Sequence, residues 1–330
     1  MLLTFAPMEG LTGVVFRRCH HRYFGGPDLY YMPFVTPTHE PRFTERQLRD
    51  IAPENNKGVP VVPQLLTQSP ENFRWAVLSL ASMGYCEVNL NLGCPMGTVT
   101  AKGKGSGMLR DPFALESFFE KAFSEPLPIA VSVKTRLGWR NEDEFEDLLR
   151  IYNRFPISEL IVHARVREDF YKGDARRGAF ARFLPGFAHR AGYNGDIVMT
   201  RELAELRDAF PNLHSVMVGR AAVANPAFFR MARGGPACSR KELFAFHRTL
   251  FEELTEAFGS VGNTVGHMKQ YWFYLRTLFE GGERIFKKLL KTRRAGDYMA
   301  VVSEIEETLP LQPEAKPLWW KPSSGSRSES

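Results

Sequence analysis

Short apolar runs alternate with amphipathic stretches over the first two thirds of the chain. The apolar runs are LLTFAPM at 2–8, LYYMPF at 29–34, VPVVPQLL at 59–66, YCEVNLNLGCP at 85–95, PIAVSVKTRLG at 128–138, ELIVHARV at 159–166, GYNGDIV at 192–198 and LHSVMVGRAA at 213–222. Strands that alternate with helical patterns indicate parallel βαβ units. Because eight such units fit the sequence, we predict an α/β fold that closes into a (β/α)8 TIM barrel.

The pattern changes after Gly234, Gly235 and Pro236. From Arg240 to Leu309 the apolar positions follow a helical period, with amphipathic stretches such as FAFHRTLFEELTEAF and MKQYWFYLRTLF. We therefore predict a TIM-barrel catalytic domain over 1–235 and a smaller all-α helical domain over 240–310. The Ser-rich end at 321–330 is predicted to be disordered.

Composition adds three constraints on the kind of protein. A chain of 330 residues with 44% hydrophobic and 24% charged residues can bury a normal globular core. Its formal net charge of +6 favours a polyanionic partner. The four cysteines show no CxxC spacing, which argues against a zinc site and against a disulfide framework. With neither a signal-peptide pattern nor an apolar run of about 20 residues, we predict a soluble, cytoplasmic protein.

Polar residues at the C-terminal ends of the predicted strands are the candidates for chemistry, because a barrel builds its active site there. Each of seven segments ends in this way. The candidates are Pro7, Met8 and Glu9; Gln64; Asn89 to Pro95; Lys134 to Arg136; His163; Asn194, Gly195 and Asp196; and Gly219 with Arg220.

The ordered set of these motifs resembles the tRNA-dihydrouridine synthases. NLNLGCP, GKGSGMLRDP, VSVKTRLG, a lone strand-end His, YNGDI and VMVGRAA occur in this order, and the likeness covers residues 1–235. APMEG and MKQYWFYLR are similar to the bacterial C-type branch, and the helical segment matches the family's RNA-binding domain. The chain departs from the family in a short apolar run before YNGD and in a Ser within GKGSGM.

The resemblance implies reduction of the C5–C6 bond of a D-loop uridine in tRNA. Reduced FMN would deliver hydride to C6, and NADPH would recharge the flavin. The proton for C5 is assigned to Cys94, because a thiol of pKa near 8.5 is mostly protonated at neutral pH. The alternative for a cysteine is a buried apolar role, which we predict for Cys86.

The resemblance also implies an FMN site at the strand ends. Lys134 would lie beside the N1–C2 edge of the flavin, where negative charge accumulates, and His163 would bond the flavin or the uracil carbonyls. A satisfied strand-end histidine remains the alternative for His163. The other predicted cofactor-binding residues are Pro7, Met8, Glu9 and Gln64 for the ring system, and Asn194, Gly195, Asp196, Gly219 and Arg220 for the phosphate.

Substrate contacts are predicted from basic residues and from one amide. Asn91 could orient the base or hold the Cys94 loop. The predicted RNA contacts are Lys102, Arg136 and Arg165 on loops at the active-site end, and Lys269, Arg276 and Lys287 in the helical domain. Solvated helix faces are the alternative for such charges. Two basic groups that flank one cleft favour contact with a nucleic-acid phosphate backbone. The resemblance implies that this partner is tRNA. We expect the protein to be a monomer.

Two other functions stay open on the sequence. An FMN barrel oxidoreductase for a small molecule, such as a dihydroorotate dehydrogenase, would share the lysine and the phosphate loops, but would not need a basic helical appendage. A tRNA-binding or chaperone protein without reductase activity would need neither Cys94 nor Lys134.

Overall fold

The computed structural model describes residues 1–317, and a parallel β-barrel occupies their first two thirds. Within these residues nine strands form one sheet. They are β1 Leu2–Phe5, β2 Leu29–Tyr31, β3 Val61–Val62, β4 Gln64–Leu65, β5 Glu87–Asn91, β6 Ala130–Gly138, β7 Glu159–Val166, β8 Arg190–Asn194 and β9 Ser215–Val218. The order across the sheet is β3-β2-β1-β9-β8-β7-β6-β5-β4, and every pairing is parallel.

The two ends of this sheet are consecutive in the chain, which closes the barrel. Strand β3 pairs with β2, strand β4 pairs with β5, and only Pro63 separates β3 from β4. Proline has no N–H to donate to a strand ladder, so the third strand position is split in two at this residue. Val35 bridges Leu65 on the far side of the break. The nine strands therefore fill eight positions, and the predicted TIM barrel is confirmed.

Helices follow most strands and cover the outside of the barrel. Ser69 caps α3 by accepting a hydrogen bond from the Asn72 N–H at 3.1 Å, and Pro70 is its first residue, a position where its missing N–H costs nothing. The helices of this part are α1 Val14–Tyr23, α2 Glu45–Ile51, α3 Pro70–Ser82, α4 Gly97–Thr100, α5 Pro112–Ala122, α6 Phe145–Tyr152, α7 Arg177–Phe183, α8 Arg201–Ala209, α9 Arg220–Ala224 and α10 Phe228–Ala232.

The C-terminal part is helical between Arg240 and Thr308, as predicted. Its helices are α11 Arg240–Phe258, α12 Val261–Leu275, α13 Glu283–Lys291 and α14 Ala295–Thr308. Tyr271 of α12 stacks on Phe16 of α1 with ring centroids 5.4 Å apart, and its hydroxyl donates to the Leu11 carbonyl at 2.5 Å. These contacts pack the helices against the start of the barrel chain.

The division into domains over 1–235 and 240–310 stays a prediction, and the predicted tail over 321–330 lies outside the described residues. No helix within residues 1–317 has the length and apolarity needed to cross a membrane.

Alternation along each strand separates an outer apolar face from a mixed interior. In β6 the outward Val131, Val133 and Leu137 join the main core beneath the helices. Ser132, Lys134 and Arg136 have the opposite parity and face the barrel axis. A small apolar cluster fills the interior in between and consists of Ala6, Tyr31, Val62, Ile161 and Met217. Polar side chains buried beside this apolar cluster need hydrogen-bond partners in the protein or in a ligand.

Candidate active site

The polar residues predicted for the site come together at one rim of the barrel. In a parallel barrel every strand runs in the same direction, so all of the carboxyl ends meet at this rim. The strand register places Gln64 beside Asn89, Asn91 beside Lys134, Arg136 beside His163, and His163 beside Asn194. The strand-end prediction therefore selected residues that are neighbours in space.

A chain of hydrogen-bonded amides leads from the barrel interior to the Cys94 loop. The Asn89 amide donates to the Ser132 hydroxyl at 2.9 Å, and the Gln64 amide donates to Asn89 Oδ1 at 2.8 Å. The Asn91 amide in turn donates to Gln64 Oε1 at 2.8 Å. Asn91 Oδ1 then accepts from the Cys94 N–H at 2.9 Å. Of the two roles predicted for Asn91, the structure places it in the one that holds the Cys94 loop.

The main chain around Cys94 is held on every side. Arg136 Nε donates to the Gly93 carbonyl at 2.8 Å. The Cys94 carbonyl accepts from the Ser106 hydroxyl at 2.8 Å and from the Ser106 N–H at 3.1 Å. Gly105 has φ +58, and a Cβ added there would lie 2.9 Å from the Cys94 carbonyl oxygen. The Ser that departs from the family pattern therefore supplies a direct bond to the residue that carries the thiol.

The Cys94 thiol is protonated at neutral pH. Burial raises its pKa above the ordinary value of 9.0, and this effect outweighs the main-chain hydrogen bond at Met96 and the positive charges of Arg136 and Lys134. A protonated, half-buried thiol on a rigid loop can act as a proton donor.

Lys134 carries a strongly perturbed ammonium group at the same rim. Burial, followed by the neighbouring Arg136, lowers its pKa from 10.5 to about 7. Within residues 1–317 its ammonium has no hydrogen-bond or ion-pair partner. A desolvated cation in such a place is costly unless an anionic or strongly polar ligand compensates it, so this position fits a ligand that carries negative charge.

Arg136 and Arg165 correct the sequence prediction, which placed both on loops open to RNA. Both lie inside strands β6 and β7, and each is only 1% exposed. Arg136 donates to the carbonyls of Gly93, Val166 and Phe170. The reason is that β6 and β7 extend to Gly138 and Val166, so these guanidinium groups still point toward the barrel axis. Both arginines brace the loops that surround the rim.

His163 contacts Arg165, and Arg165 contacts Asp196. The distance from Arg165 Nη1 to His163 Nε2 is 3.1 Å, and that from Arg165 Nη2 to Asp196 Oδ2 is 2.5 Å. Asp196 also accepts from the Ala175 N–H at 2.6 Å and from Arg220 at 3.2 Å. Burial and four surrounding cations lower the pKa of His163 well below 6.5, so its imidazole is neutral.

The loops predicted to bind a phosphate are adjacent, and both make close approaches. Asn194 donates to the Met217 carbonyl at 2.8 Å, which ties the end of β8 to β9. Gly195 has φ +138, and a Cβ there would lie 2.9 Å from that of Ala175. At Gly219 an added Cβ would lie 3.2 Å from that of Ala6 and 3.5 Å from Met8 Sδ. The loop after β1, with Pro7, Met8 and Glu9, therefore meets the last barrel loop at this rim.

Tyr171 is a rim residue that the sequence analysis did not select. Its side chain is 53% exposed, and its ring centroid lies 5.4 Å from the Arg136 guanidinium, 5.6 Å from that of Arg220 and 6.0 Å from the His163 ring. The surrounding YKGDARRGAF segment shows only an excess of arginine in the sequence, which does not single out one aromatic residue.

The remaining basic residues predicted to contact RNA differ in their exposure and in their contacts with the protein. Lys102 and Lys287 are exposed. Lys269 donates to the Thr292 carbonyl, and the Arg276 guanidinium lies 5.2 Å from the centre of the Phe273 ring. The prediction that Cys86 is buried is wrong, because it precedes β5 at an exposed position.

Comparison with known proteins identifies relatives over nearly the whole chain. The family model described as "Dihydrouridine synthase" matches residues 4–302. The chain is 28% identical over 311 residues to a "Probable tRNA-dihydrouridine synthase" of Staphylococcus aureus strain COL, covering 91% of this chain and 92% of that protein. It is 32% identical over 256 residues to a protein of the same name from Staphylococcus epidermidis, covering 75% of this chain and 77% of the relative.

Solved structures with the same fold are more distant in sequence. Morphinone reductase superposes with a TM-score of 0.50 at 14% identity, covering 72% of this chain and 87% of that one. An old yellow enzyme homologue from Zymomonas mobilis has a TM-score of 0.50 at 10% identity and covers 72% and 90%, respectively. At this level of identity the likeness concerns the barrel fold.

Proposed function

The chain belongs to the dihydrouridine synthase family, and on that premise we propose that it reduces the C5–C6 bond of a D-loop uridine in tRNA. We propose FMN as its bound cofactor and NADPH as its electron donor. The observation that carries the proposal is a protonated thiol and an unpartnered ammonium at one barrel rim, on Cys94 and Lys134.

The rim residues fit a flavin phosphate and ring system. Lys134 offers a desolvated positive charge that has no protein partner among the described residues. Such a charge would stabilise the negative charge that accumulates at the N1–C2 edge of a reduced flavin. His163 and Gln64 would meet the polar edge of the ring, and the loops at Gly195 and Gly219 would approach the phosphate together with Arg220. When bound, reduced FMN supplies the hydride that C6 of the uracil receives.

The protein's part in the reaction is proton delivery and positioning. The Cys94 Sγ–H donates a proton to C5 of the uracil, and burial keeps the thiol protonated for this step. Asn91, Arg136 and Ser106 fix the backbone that carries the thiol. Because the acid is held before the substrate arrives, little reorganisation is needed when it does.

Transfer RNA as the substrate is supported by the names of the relatives and by the charge of the chain. The tRNA-dihydrouridine synthase name recurs among relatives that span nine tenths of this sequence. Lys102 lies on the Cys94 loop, and Lys269, Arg276 and Lys287 lie in the helical segment 240–310, which we propose as the tRNA-binding domain of a monomeric cytoplasmic enzyme. A target uridine must leave its stack to reach the rim.

An anaerobic reoxidation experiment tests the proposal. The purified protein is loaded with FMN, reduced with NADPH, and mixed with tRNA that lacks dihydrouridine while the flavin absorbance is followed. Rapid reoxidation by tRNA, and not by free uridine or orotate, is expected. A flavin that stays reduced with tRNA but is reoxidised by orotate would replace the proposal with a small-molecule oxidoreductase. Tight tRNA binding without any reoxidation would indicate a binding protein.

A further inference from the structure

The contact between His163 and Arg165 fixes which nitrogen of the imidazole carries the proton. A guanidinium group has five N–H donors, no acceptor, and stays protonated in proteins. The 3.1 Å contact from Arg165 Nη1 to His163 Nε2 therefore requires Nε2 to accept. A neutral imidazole whose Nε2 accepts must carry its hydrogen on Nδ1.

Arg165 is anchored firmly enough to impose this direction. Its side chain is 1% exposed, and all of its remaining contacts are internal. Nη2 donates to the Asp196 carboxylate and to the Gly173 carbonyl, and Nε donates to the Lys172 carbonyl at 3.3 Å. Asp196 is in turn fixed by the Ala175 N–H. The guanidinium thus cannot turn away from His163 without leaving a buried carboxylate with fewer partners.

The hydrogen on Nδ1 has no acceptor within residues 1–317. Among residues 1–317 the only hydrogen bond of the His163 ring is the one from Arg165, although the residue is only 7% exposed. The groups that face the ring are Tyr171 and the cations of Lys134, Arg136 and Arg220. The Tyr171 ring centroid is 6.0 Å away and its hydroxyl makes no hydrogen bond to His163, and the cations cannot accept. A directed N–H without a protein acceptor, at a rim that remains open, is suited to an acceptor atom on a ligand.

We propose that Arg165 is a positioning residue that holds His163 as its Nδ1–H tautomer, so that the ring donates a hydrogen bond to a carbonyl oxygen or an unprotonated ring nitrogen at the rim. The direction of the bond follows from this chain's own contacts. Only the identity of the acceptor, a flavin or a uracil, rests on the proposed function.

Nitrogen-15 NMR of the histidine rings tests the tautomer without any measurement of activity. Long-range proton–nitrogen correlations distinguish a protonated from an unprotonated ring nitrogen, and the missing signal in His163→Gln assigns the residue. The wild-type protein is expected to show a protonated Nδ1 and an unprotonated Nε2 over the whole range from pH 6 to 8. A protonated Nε2 in the wild type would overturn the inference, whatever the variants do.

Variants separate Arg165 from the loop that it helps to hold. Arg165→Met should shift the proton to Nε2 or give a mixture of tautomers, and Arg165→Lys should restore the Nδ1–H form, because an ammonium can only donate. Arg176→Met is the matched control. Arg176 anchors the same loop through Asp169 and Glu142 and makes no contact with His163. A tautomer change in Arg176→Met equal to that in Arg165→Met would mean that the loop, not Arg165, sets the tautomer.

Titrations identify the acceptor. Addition of FMN to the flavin-free protein is expected to shift the Nδ1–H signal if the flavin accepts the bond, and addition of tRNA to the FMN-loaded protein is expected to shift it if the uracil does. With either acceptor, Arg165→Met should slow reoxidation of the reduced protein by tRNA by up to about 10²- to 10³-fold, the effect of losing one directed donor. A shift in neither titration would overturn the assignment of Nδ1–H as a ligand contact.

Discussion

At the scale of single residues, some polar groups of the rim are hydrogen-bonded within the protein and others are left for a ligand. Asn91 uses its carbonyl oxygen on the Cys94 loop and its amide on Gln64, so its orientation is fixed. Lys134 uses none of its three donors on the protein residues described. The first arrangement is typical of a residue that positions another, and the second of a residue that awaits a ligand.

Cys94→Ala should strongly slow the reduction of tRNA while leaving the reduction of the flavin by NADPH intact. Without the thiol no group at this position can protonate C5, and loss of a positioned acid costs about 10²- to 10⁴-fold in rate. Reoxidation by tRNA is measured after reduction by NADPH, whose own rate should be unchanged. Cys86→Ala is the control, because it removes an exposed thiol just before β5. Equal losses in the two variants would count against Cys94 as the acid.

Lys134→Met should stabilise the flavin-free protein and weaken its binding of FMN. The pKa of this lysine is about 7 when folded and 10.5 ordinarily, so the unfolded chain binds the proton more tightly. The lysine therefore destabilises the fold fully below pH 7, and the cost disappears as the pH rises to 10.5. One pKa unit corresponds to roughly 1.4 kcal/mol. Because the protein around the lysine relaxes and reduces the full cost, we expect a gain of about 1–3 kcal/mol in the free energy of unfolding near pH 6.

Urea unfolding at pH 6 and at pH 10 measures this gain, and fluorescence titration measures FMN affinity. The difference between Lys134→Met and the wild type should shrink at the higher pH. A variant that is less stable than the wild type at both pH values would show that the ammonium is already satisfied by the protein.

At the scale of elements, the Cys94 loop and the segment at 105–107 form one packed unit. Gly105→Ala should disrupt it, because the residue has a positive φ and its new Cβ would meet the Cys94 carbonyl at 2.9 Å. Reoxidation by tRNA is expected to slow by about 10- to 100-fold, since misplacement by about 1 Å costs this much. Gly97→Ala, in the same loop, adds a Cβ with no atom within 4 Å and should leave the rate unchanged. A normal rate in Gly105→Ala would mean that the loop tolerates the shift.

The strands could be predicted from the sequence because both of their faces are covered. Apolar runs such as ELIVHARV match β7 at both ends. The break at Pro63 could not be predicted to close the barrel, since that depends on pairing with β2 on one side and β5 on the other. Arg136 and Arg165 were misplaced for a related reason. A charged residue near the end of an apolar run looks like the start of a loop, unless the carbonyls and the carboxylate that will surround it are known.

The sequence was sufficient to predict which residues form the candidate site, but not which hydrogen bonds join them. Strand-end polar residues of a parallel barrel must meet, so Gln64, Lys134 and His163 could be grouped from order alone. Asn89 could not be ranked above its neighbours. Its role is to orient Gln64, and this emerges only from the 2.8 Å contact across β4 and β5. Hydrogen-bond direction is a property of the folded chain and leaves no periodic signal.

At the scale of the whole molecule, the helical segment and the barrel are joined by aromatic packing and by ion pairs. Phe16 of α1 packs on Phe246 and Tyr271, and Arg18 and Arg22 of the same helix pair with Glu253 of α11. The contact is mixed, with an aromatic centre and ion pairs beside it. We expect the two parts to hold a fixed spacing, which a folded RNA that contacts both would require.

Removal of two charges from the helical segment should weaken tRNA binding in a salt-dependent way. Arg276→Gln with Lys287→Gln removes two cations that make no ion pair with a described residue. If both contact phosphates, the slope of log K against log salt should fall by roughly 1 to 2, because each phosphate contact contributes about 0.7–0.9. NADPH-driven reduction of the flavin should not change. Lys121→Gln with Arg150→Gln alters net charge equally on the outer helices α5 and α6, far along the chain from the helical segment. If both double variants lower the slope alike, tRNA senses only the overall charge of +6, and the helical segment is not its docking surface.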